Sequence, residues 1–236
     1  MPRVTVVIPT LDRKEFLEQA IETVQVQTYE PLECIVVDDG STDGTREYLD
    51  SLDYDALRTI YRDNETGLSS ARNAAIDAAE GEYVTFLDSD DILYPHTVET
   101  LVTELDKQSE DCAGAFGSKK FITPRGRVKE KRAPTGRITE ATIENARAIG
   151  GPSSTTFRLD AVEDVGGFDE SFDGLEDLDL YLTLLKKYSL FGVDKVCCER
   201  RTHDRQMSGD NEMMSRSFRK LLEKHGIEDH GRGRRK

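Results

Sequence analysis

Tryptophan is absent from the 236 residues, and histidine and cysteine occur four times each. No apolar stretch approaches the roughly 20 residues that a bilayer-crossing helix needs. The N-terminal MPRVTVVIPT enters a strand at once. It shows no basic region, apolar segment and small-residue site in series, so a signal peptide is not expected. Cys34, Cys112, Cys197 and Cys198 form no C-x-x-C pair. That pattern argues against a zinc site and for free thiols in a reducing cytoplasm. Positive charge is also scarce: 32 basic residues stand against 46 acidic ones, a net charge of −14. Such a balance disfavours nucleic-acid binding. The Lys-poor, acid-rich composition suits a host of high ionic strength, where salt screens self-repulsion.

What is present is an alternation. Apolar runs at 4–9, 32–39, 56–62, 82–88 and 113–123 read as buried strands. Helical segments fall between them at 14–26, from Thr45, at 68–79 and after Pro95, with Asp12 as a candidate cap for the first. Strands alternating with helices indicate an α/β fold, with a mostly parallel sheet covered by helices on both faces. Ligands of such sheets bind beyond the carboxyl ends of the strands. Polar signatures collect there: 10–13 after the first strand, 38–43 after the second, 88–91 after the fourth. The second part is less regular. It holds a helix at 139–148 capped by Thr139, a Gly/Ser turn into a strand at 150–157, a short helix within 160–170, an amphipathic helix at 176–188 and a last helix at 211–225. No repeat or low-complexity linker interrupts the chain, so one domain in two lobes is expected. Residues 1–118 form the ligand-binding half, 119–210 a smaller irregular half, and 211–236 a C-terminal helix with a basic tail.

Five short stretches can carry chemistry, and each also has an ordinary structural explanation. Asp88-Ser89-Asp90 leaves a strand end with two carboxylates, which suit a hard divalent ion bridging to phosphate; a solvated Asp-rich turn would look the same. VVDDGSTDGT (36–45) can accept hydrogen bonds from ribose or base groups, or simply be a strand-to-helix turn. In GLSSARNAA (67–75), Gly67 lets backbone approach a ligand and Arg72 can pair with phosphate. In GLEDLDL (174–180), Glu176 and Asp177 open a helix, where a carboxylate can serve as general base or merely complement the helix dipole. In RRTHDRQMS (200–208), His203 can be a metal ligand or a satisfied structural group.

The order of these motifs is more specific than any one of them. VVIPTLDR, VVDDGSTDGT, GLSSARNAA, YVTFLDSDD, GGFDE, EDLDL and RTHDRQMS together resemble the GT-A glycosyltransferases of family 2 over roughly residues 4–210. The resemblance implies a nucleotide-diphospho-sugar donor and Mg²⁺ or Mn²⁺ as cofactor. It places Pro9, Thr10, Asp12, Arg13, Asp39 and Arg72 around the nucleotide, with Asp88 and Ser89 beside ribose or the metal. Asp90 and His203 would hold the metal. Asp177 would deprotonate the acceptor hydroxyl, with Glu176 orienting it, and transfer would invert the anomeric carbon. The chain lacks the Q-x-x-R-W element and membrane helices of processive members, so one sugar per acceptor is expected. Asp12 stands where many relatives carry Asn.

Two other classes share features of this pattern. A nucleotidyltransferase usually has a glycine-rich basic loop after the first strand, whereas PTLDRKEF has no glycine. A non-catalytic nucleotide-sugar-binding module would be expected to lose the acids, yet Asp88, Asp90 and Asp177 are present. Residues 119–137 carry eight basic residues against one acid, Glu130, in an otherwise acidic chain. That island can grip an anionic acceptor, such as a lipid-linked phosphate sugar, from the cytoplasmic face of a membrane, or be a solvated loop.

Overall fold

The computed structural model describes residues 1–123, 126, 128–142, 148–202 and 210–227. The first half alternates as the apolar runs predict: β1 (Val4–Thr10), α1 (Lys14–Gln25), β2 (Leu32–Asp38), α2 (Thr45–Asp50), β3 (Leu57–Tyr61), α3 (Leu68–Ala78) and β4 (Tyr83–Phe86). Then come β5 (Asp91–Leu93), α4 (Thr97–Leu105), β6 (Cys112–Ile122), β7 (Val128–Lys131) and β8 (Gly136–Ile138). A 3₁₀ turn at Pro152–Ser154 leads into β9 (Thr155–Arg158), α5 (Leu159–Asp164), α6 (Glu176–Leu185), β10 (Ser189–Arg201) and α7 (Asn211–His225).

One sheet runs through both halves in the order β3-β2-β1-β4-β9-β6-β10-β5, with β7 on β6 and β8 on β10. It is parallel across β3-β2-β1-β4. Beyond that antiparallel strands enter, although β6 and β10 run parallel to each other and in the same direction as β1–β4. β9 lies antiparallel to both β4 and β6. It is entered through the 3₁₀ turn at Pro152–Ser154, and antiparallel neighbours need no crossover. The strands β5, β7 and β8 are antiparallel additions.

The central strands are buried on both faces, as covered parallel strands are. Alternate residues serve opposite cores. Val4, Val6, Ile8, Cys34 and Val36 pack with Leu17, Ile21 and Val24 of α1 and with Val98, Leu101 and Leu105 of α4. Val7, Ile35, Val37, Val84 and Phe86 pack with Ala71, Ala75 and Ile76 of α3 and with Leu178, Tyr181 and Leu184 of α6. A period of two along each strand thus fixes which helices lie on which side. The strand order reverses between β1 and β4, which opens a crevice at their carboxyl ends.

Local differences from the sequence reading have physical causes. Asp12 does not cap α1. It adopts φ 48°, and its carboxylate accepts from the Thr42 backbone N–H at 2.6 Å. Asp43 of the facing loop accepts instead from the Lys14 N–H at 3.0 Å. At 139–142 the chain makes a turn closed by Thr142 N–H to the Thr139 carbonyl, and 143–147 lie outside the described residues. The 13-residue β10 had no expected counterpart. Asp194 and Lys195 interrupt its apolar pattern, and the register with β6 shifts between Gly192 and Val196.

Candidate active site

A cleft of about 560 Å³ opens at the carboxyl ends of β1, β2 and β4. Pro9, Thr10, Arg13, Asp39, Asp88, Ser89, Asp90, Glu176 and Asp177 all line it. These residues come from four distant stretches of sequence, and the fold brings them together. Asp12 is not among the lining residues. Its side chain ties the first loop to Thr42. His203 lies outside the described residues.

On the first wall each acid meets a partner. Asp90 accepts from Arg13 Nη1 at 3.0 Å. Asp39 is buried and accepts from the Thr66 and Gly67 backbone N–H groups, both at 2.9 Å, and from the Thr66 hydroxyl at 2.7 Å. It therefore anchors the loop before α3 while facing the cleft. Arg72 is 1% exposed and donates 2.7 Å bonds to Glu176 and to Asp88. Its guanidinium also stacks over the Phe168 ring at 5.0 Å. Burial opposes the Arg72 charge, but Asp88, Glu176 and Asp177 outweigh it and hold the guanidinium protonated. This one arginine fixes the strand-end acid and the helix-start acid relative to each other.

Two carboxylates are less well compensated. Asp91 is buried, with Oδ2 accepting from the Ser153 hydroxyl at 2.7 Å and Oδ1 without a hydrogen bond among the described residues. Burial, then repulsion from Asp88 and Asp90, pushes it up to about 8. Asp177 sits half-buried in the first turn of α6, entered through Leu175 at φ 63°. That positive φ in a non-glycine residue is strained, as functional turns often are. Burial and the neighbouring Glu176 push Asp177 up to about 6, against the pull of Arg72 and Lys119.

The opposite wall carries cations. Lys119 of β6 and Arg200 of β10 line the cleft, and neither makes a hydrogen bond or close ion pair with another described residue. The field of Asp91, Asp88, Asp177 and Asp90 reaches Arg200; burial opposes its charge, but those acids raise it above its ordinary value. Sequence reasoning gave Asp91 only as one of the 88–91 acids and Lys119 only as part of the 119–137 basic island, and it assigned no role to Ser153 or Arg200. The pairing of β6 with β10 decides that Lys119 and Arg200 face the cleft, which the local stretches holding them did not show.

Asp88, Asp90 and Asp91 supply hard oxygen donors of the kind Mg²⁺ and Mn²⁺ take. The orphaned Asp91 Oδ1, and the crowding that raises its pKa, fit a nearby cation. Among the described residues no three acidic, histidine or cysteine side chains are already gathered as ligands.

The family model described as Glycosyl transferase family 2 matches residues 5–166. A curated relative, the GalNAc(5)-diNAcBac-PP-undecaprenol beta-1,3-glucosyltransferase of Campylobacter jejuni, is 32% identical over 198 residues, covering 81% of this chain and 62% of that protein. Glycosyltransferase GlyG of Streptococcus pneumoniae is 36% identical over 110 residues, covering 46% and 36%. The chain thus spans 62% or less of the length of these relatives. Among solved structures, S. aureus TarS 1-349 in complex with UDP-GlcNAc superposes with a TM-score of 0.75 at 20% identity, covering 93% of this chain and 66% of that one. Mannosyltransferase PcManGT from Pyrobaculum calidifontis, in complex with GDP-Man and Mn²⁺, gives 0.72 at 20% identity, covering 96% and 65%. At such identity the likeness concerns the fold, and it is the GT-A arrangement that the motif order implied.

Proposed function

This chain belongs to glycosyl transferase family 2, and on that premise we propose that it is an inverting, metal-dependent glycosyltransferase. It moves one sugar from a nucleotide-diphospho-sugar, a UDP-sugar first, to an acceptor hydroxyl. The observation that carries the reading is the position of Asp177. It lines the same cleft as the Asp88–Asp91 carboxylates, and its burial beside Glu176 sets its titration at about 6. A carboxylate poised there is ionised at neutral pH yet basic enough to take a hydroxyl proton as the oxygen attacks.

The remaining residues follow from charge and position. Pro9, Thr10 and Asp39 face the nucleotide, and Arg13 holds Asp90 in place. Arg72 keeps Asp88 and Glu176 fixed, so Asp177 stays aligned with the donor. Asp90, with Asp88 beside it, would hold Mg²⁺ or Mn²⁺, which when bound neutralises charge on the departing diphosphate. One carboxylate on the acceptor side suffices for inversion by direct displacement, without a covalent enzyme intermediate. TarS bound UDP-GlcNAc and PcManGT bound GDP-Man with Mn²⁺, which supports a nucleotide-sugar donor and the cofactor assignment.

The test is calorimetric titration with UDP, GDP and dTDP, with and without Mn²⁺, on the wild type and on Asp90→Ala. Metal-dependent binding of one nucleotide, lost in the variant, is expected. No binding of any nucleotide at low or high salt would remove the reading.

A further inference from the structure

The hairpin β6–β7 extends past the carboxyl edge of the sheet, beside the cleft. Its register pairs Lys119 with Lys131 and Phe121 with Lys129. Residues directly opposite in an antiparallel pair share a face, as do residues two apart on one strand. Lys119, Phe121, Lys129 and Lys131 therefore stand on one face. The adjoining strand adds to it, because β10 aligns Cys198 with Lys119 and Arg200 with Phe121. Lys119, Cys198 and Arg200 line the cleft, so this is the cleft-side face. The other face holds Lys120, Glu130, Ile122 and Val128. Arg132 is drawn to Glu130 of that other face at 3.2 Å.

Fold stability does not account for this arrangement. Two lysines directly opposite each other repel. The Lys119 side chain is 7% exposed, and its ammonium forms no hydrogen bond or ion pair with another described residue. It rests 5.6 Å from the Phe121 ring centre. Gly151 clears its position, since a Cβ there would come within 2.9 Å of Nζ. The Lys119 stem is thus buried while its ammonium lines the cleft, where an anion can meet it. In a chain of net charge −14, four cations on one face running outward from the cleft form a local anion site.

We propose that this face, Lys119, Arg200, Lys131 and Lys129, binds a phosphate-bearing acceptor. The acceptor's anionic group lies along the hairpin while its hydroxyl reaches Asp177. The inference rests on the glycosyltransferase reading for the direction of approach. The donor diphosphate belongs to the Asp88–Asp91 side, and a cationic track leading out of the cleft fits a substrate that extends beyond it. Lys119, whose charge is felt at Asp177, marks where the track meets the reacting groups.

The test uses farnesyl diphosphate as probe, titrated by calorimetry into the full chain with and without UDP and Mn²⁺. The variant is Lys129→Glu with Lys131→Glu, on the exposed strand β7, where folding is not at stake. Farnesyl diphosphate affinity should fall at least tenfold in the variant and depend less steeply on salt, while UDP affinity stays unchanged. Lys119→Met should weaken the probe as well. N-acetylglucosamine 1-phosphate is run in parallel. Binding of both probes assigns the site to phosphate on a glycan, and binding of farnesyl diphosphate alone assigns it to a lipid carrier. Unchanged probe affinity in the double variant, with UDP binding intact, overturns this inference and leaves the transferase reading standing. Loss of UDP binding in the wild type would sink that reading instead, and the titration without nucleotide would still judge the anion site.

Discussion

The two walls of the cleft handle charge in opposite ways. On the wall built from β1, β4 and α3, acids have arginines in hand: Asp90 with Arg13, and Asp88 with Arg72, which also holds Glu176. On the wall built from β6 and β10, Lys119 and Arg200 face the cleft without close partners among the described residues. Internal pairing organises the first wall before any ligand arrives, since Asp88, Asp90 and Glu176 there already have arginine partners. The second wall leaves its compensation to whatever enters. Asp177 lies between the two. Arg72 and Lys119 both pull its titration down, while burial and Glu176 push it up.

The comparison is tested most severely at that meeting point. Asp177→Asn should lower the transfer rate about 10³-fold, within the usual range for loss of a general base, while leaving nucleotide binding intact by calorimetry. In the wild type, kcat/KM should be level above pH 7 and fall about tenfold per unit below the Asp177 value of about 6. A profile flat down to pH 5 would assign the base elsewhere.

The paired wall should break when its shared arginine goes. Arg72→Met leaves Asp88 and Glu176 without their partner, one of them well buried. A loss of about 3 kcal/mol is expected from a broken buried pair, read as a lower urea midpoint. A smaller effect is expected from Asp90→Ala, which spares Arg72: nucleotide affinity with Mn²⁺ should fall at least tenfold, with little change in the midpoint.

Asp177 also carries a stability cost. A carboxyl whose folded-state pKa is raised favours the folded state most below its ordinary value of 3.8, and loses that advantage as pH rises through about 6. Asp177→Asn should therefore be more stable than the wild type at pH 8, by about 1 kcal/mol after allowing for solvent screening. The gain should vanish by pH 4. Equal midpoints at both pH values would show that the acid sits in its site without strain. The least effect is expected at Asp12→Asn, under about 0.5 kcal/mol. Asparagine tolerates the positive φ and can accept the same Thr42 N–H.

Much of the first wall was legible in the chain. Apolar runs of strand length, each followed by Asp, Gly or Thr, gave β1, β2 and β4 and put Thr10, Asp39, Asp88 and Asp90 at one edge. Period-two burial makes such strands visible without any partner. The second wall was hidden for two reasons. β9 and β10 are placed by antiparallel and bulged pairing, which no local pattern encodes. The cation at Lys119 read as part of a charge run until the register with Lys131 showed which side it faces. The same holds for Arg72, which the motif order placed around the nucleotide: that it is among the largest fully buried side chains and joins Asp88 to Glu176 shows only in the fold.

By itself, then, the sequence determined the order of strands and helices in the first half and which residue types stand at the strand ends, because both depend on local periodicity and turn chemistry. The tertiary structure alone decided which acids are neutralised, that Asp12 braces a neighbouring loop while Asp43 caps α1, and that Asp177 faces Lys119 across a shared cleft. Those outcomes depend on distances between groups 16 to 104 residues apart along the chain, and charge compensation falls off over a few ångströms of space with no regard for separation in sequence.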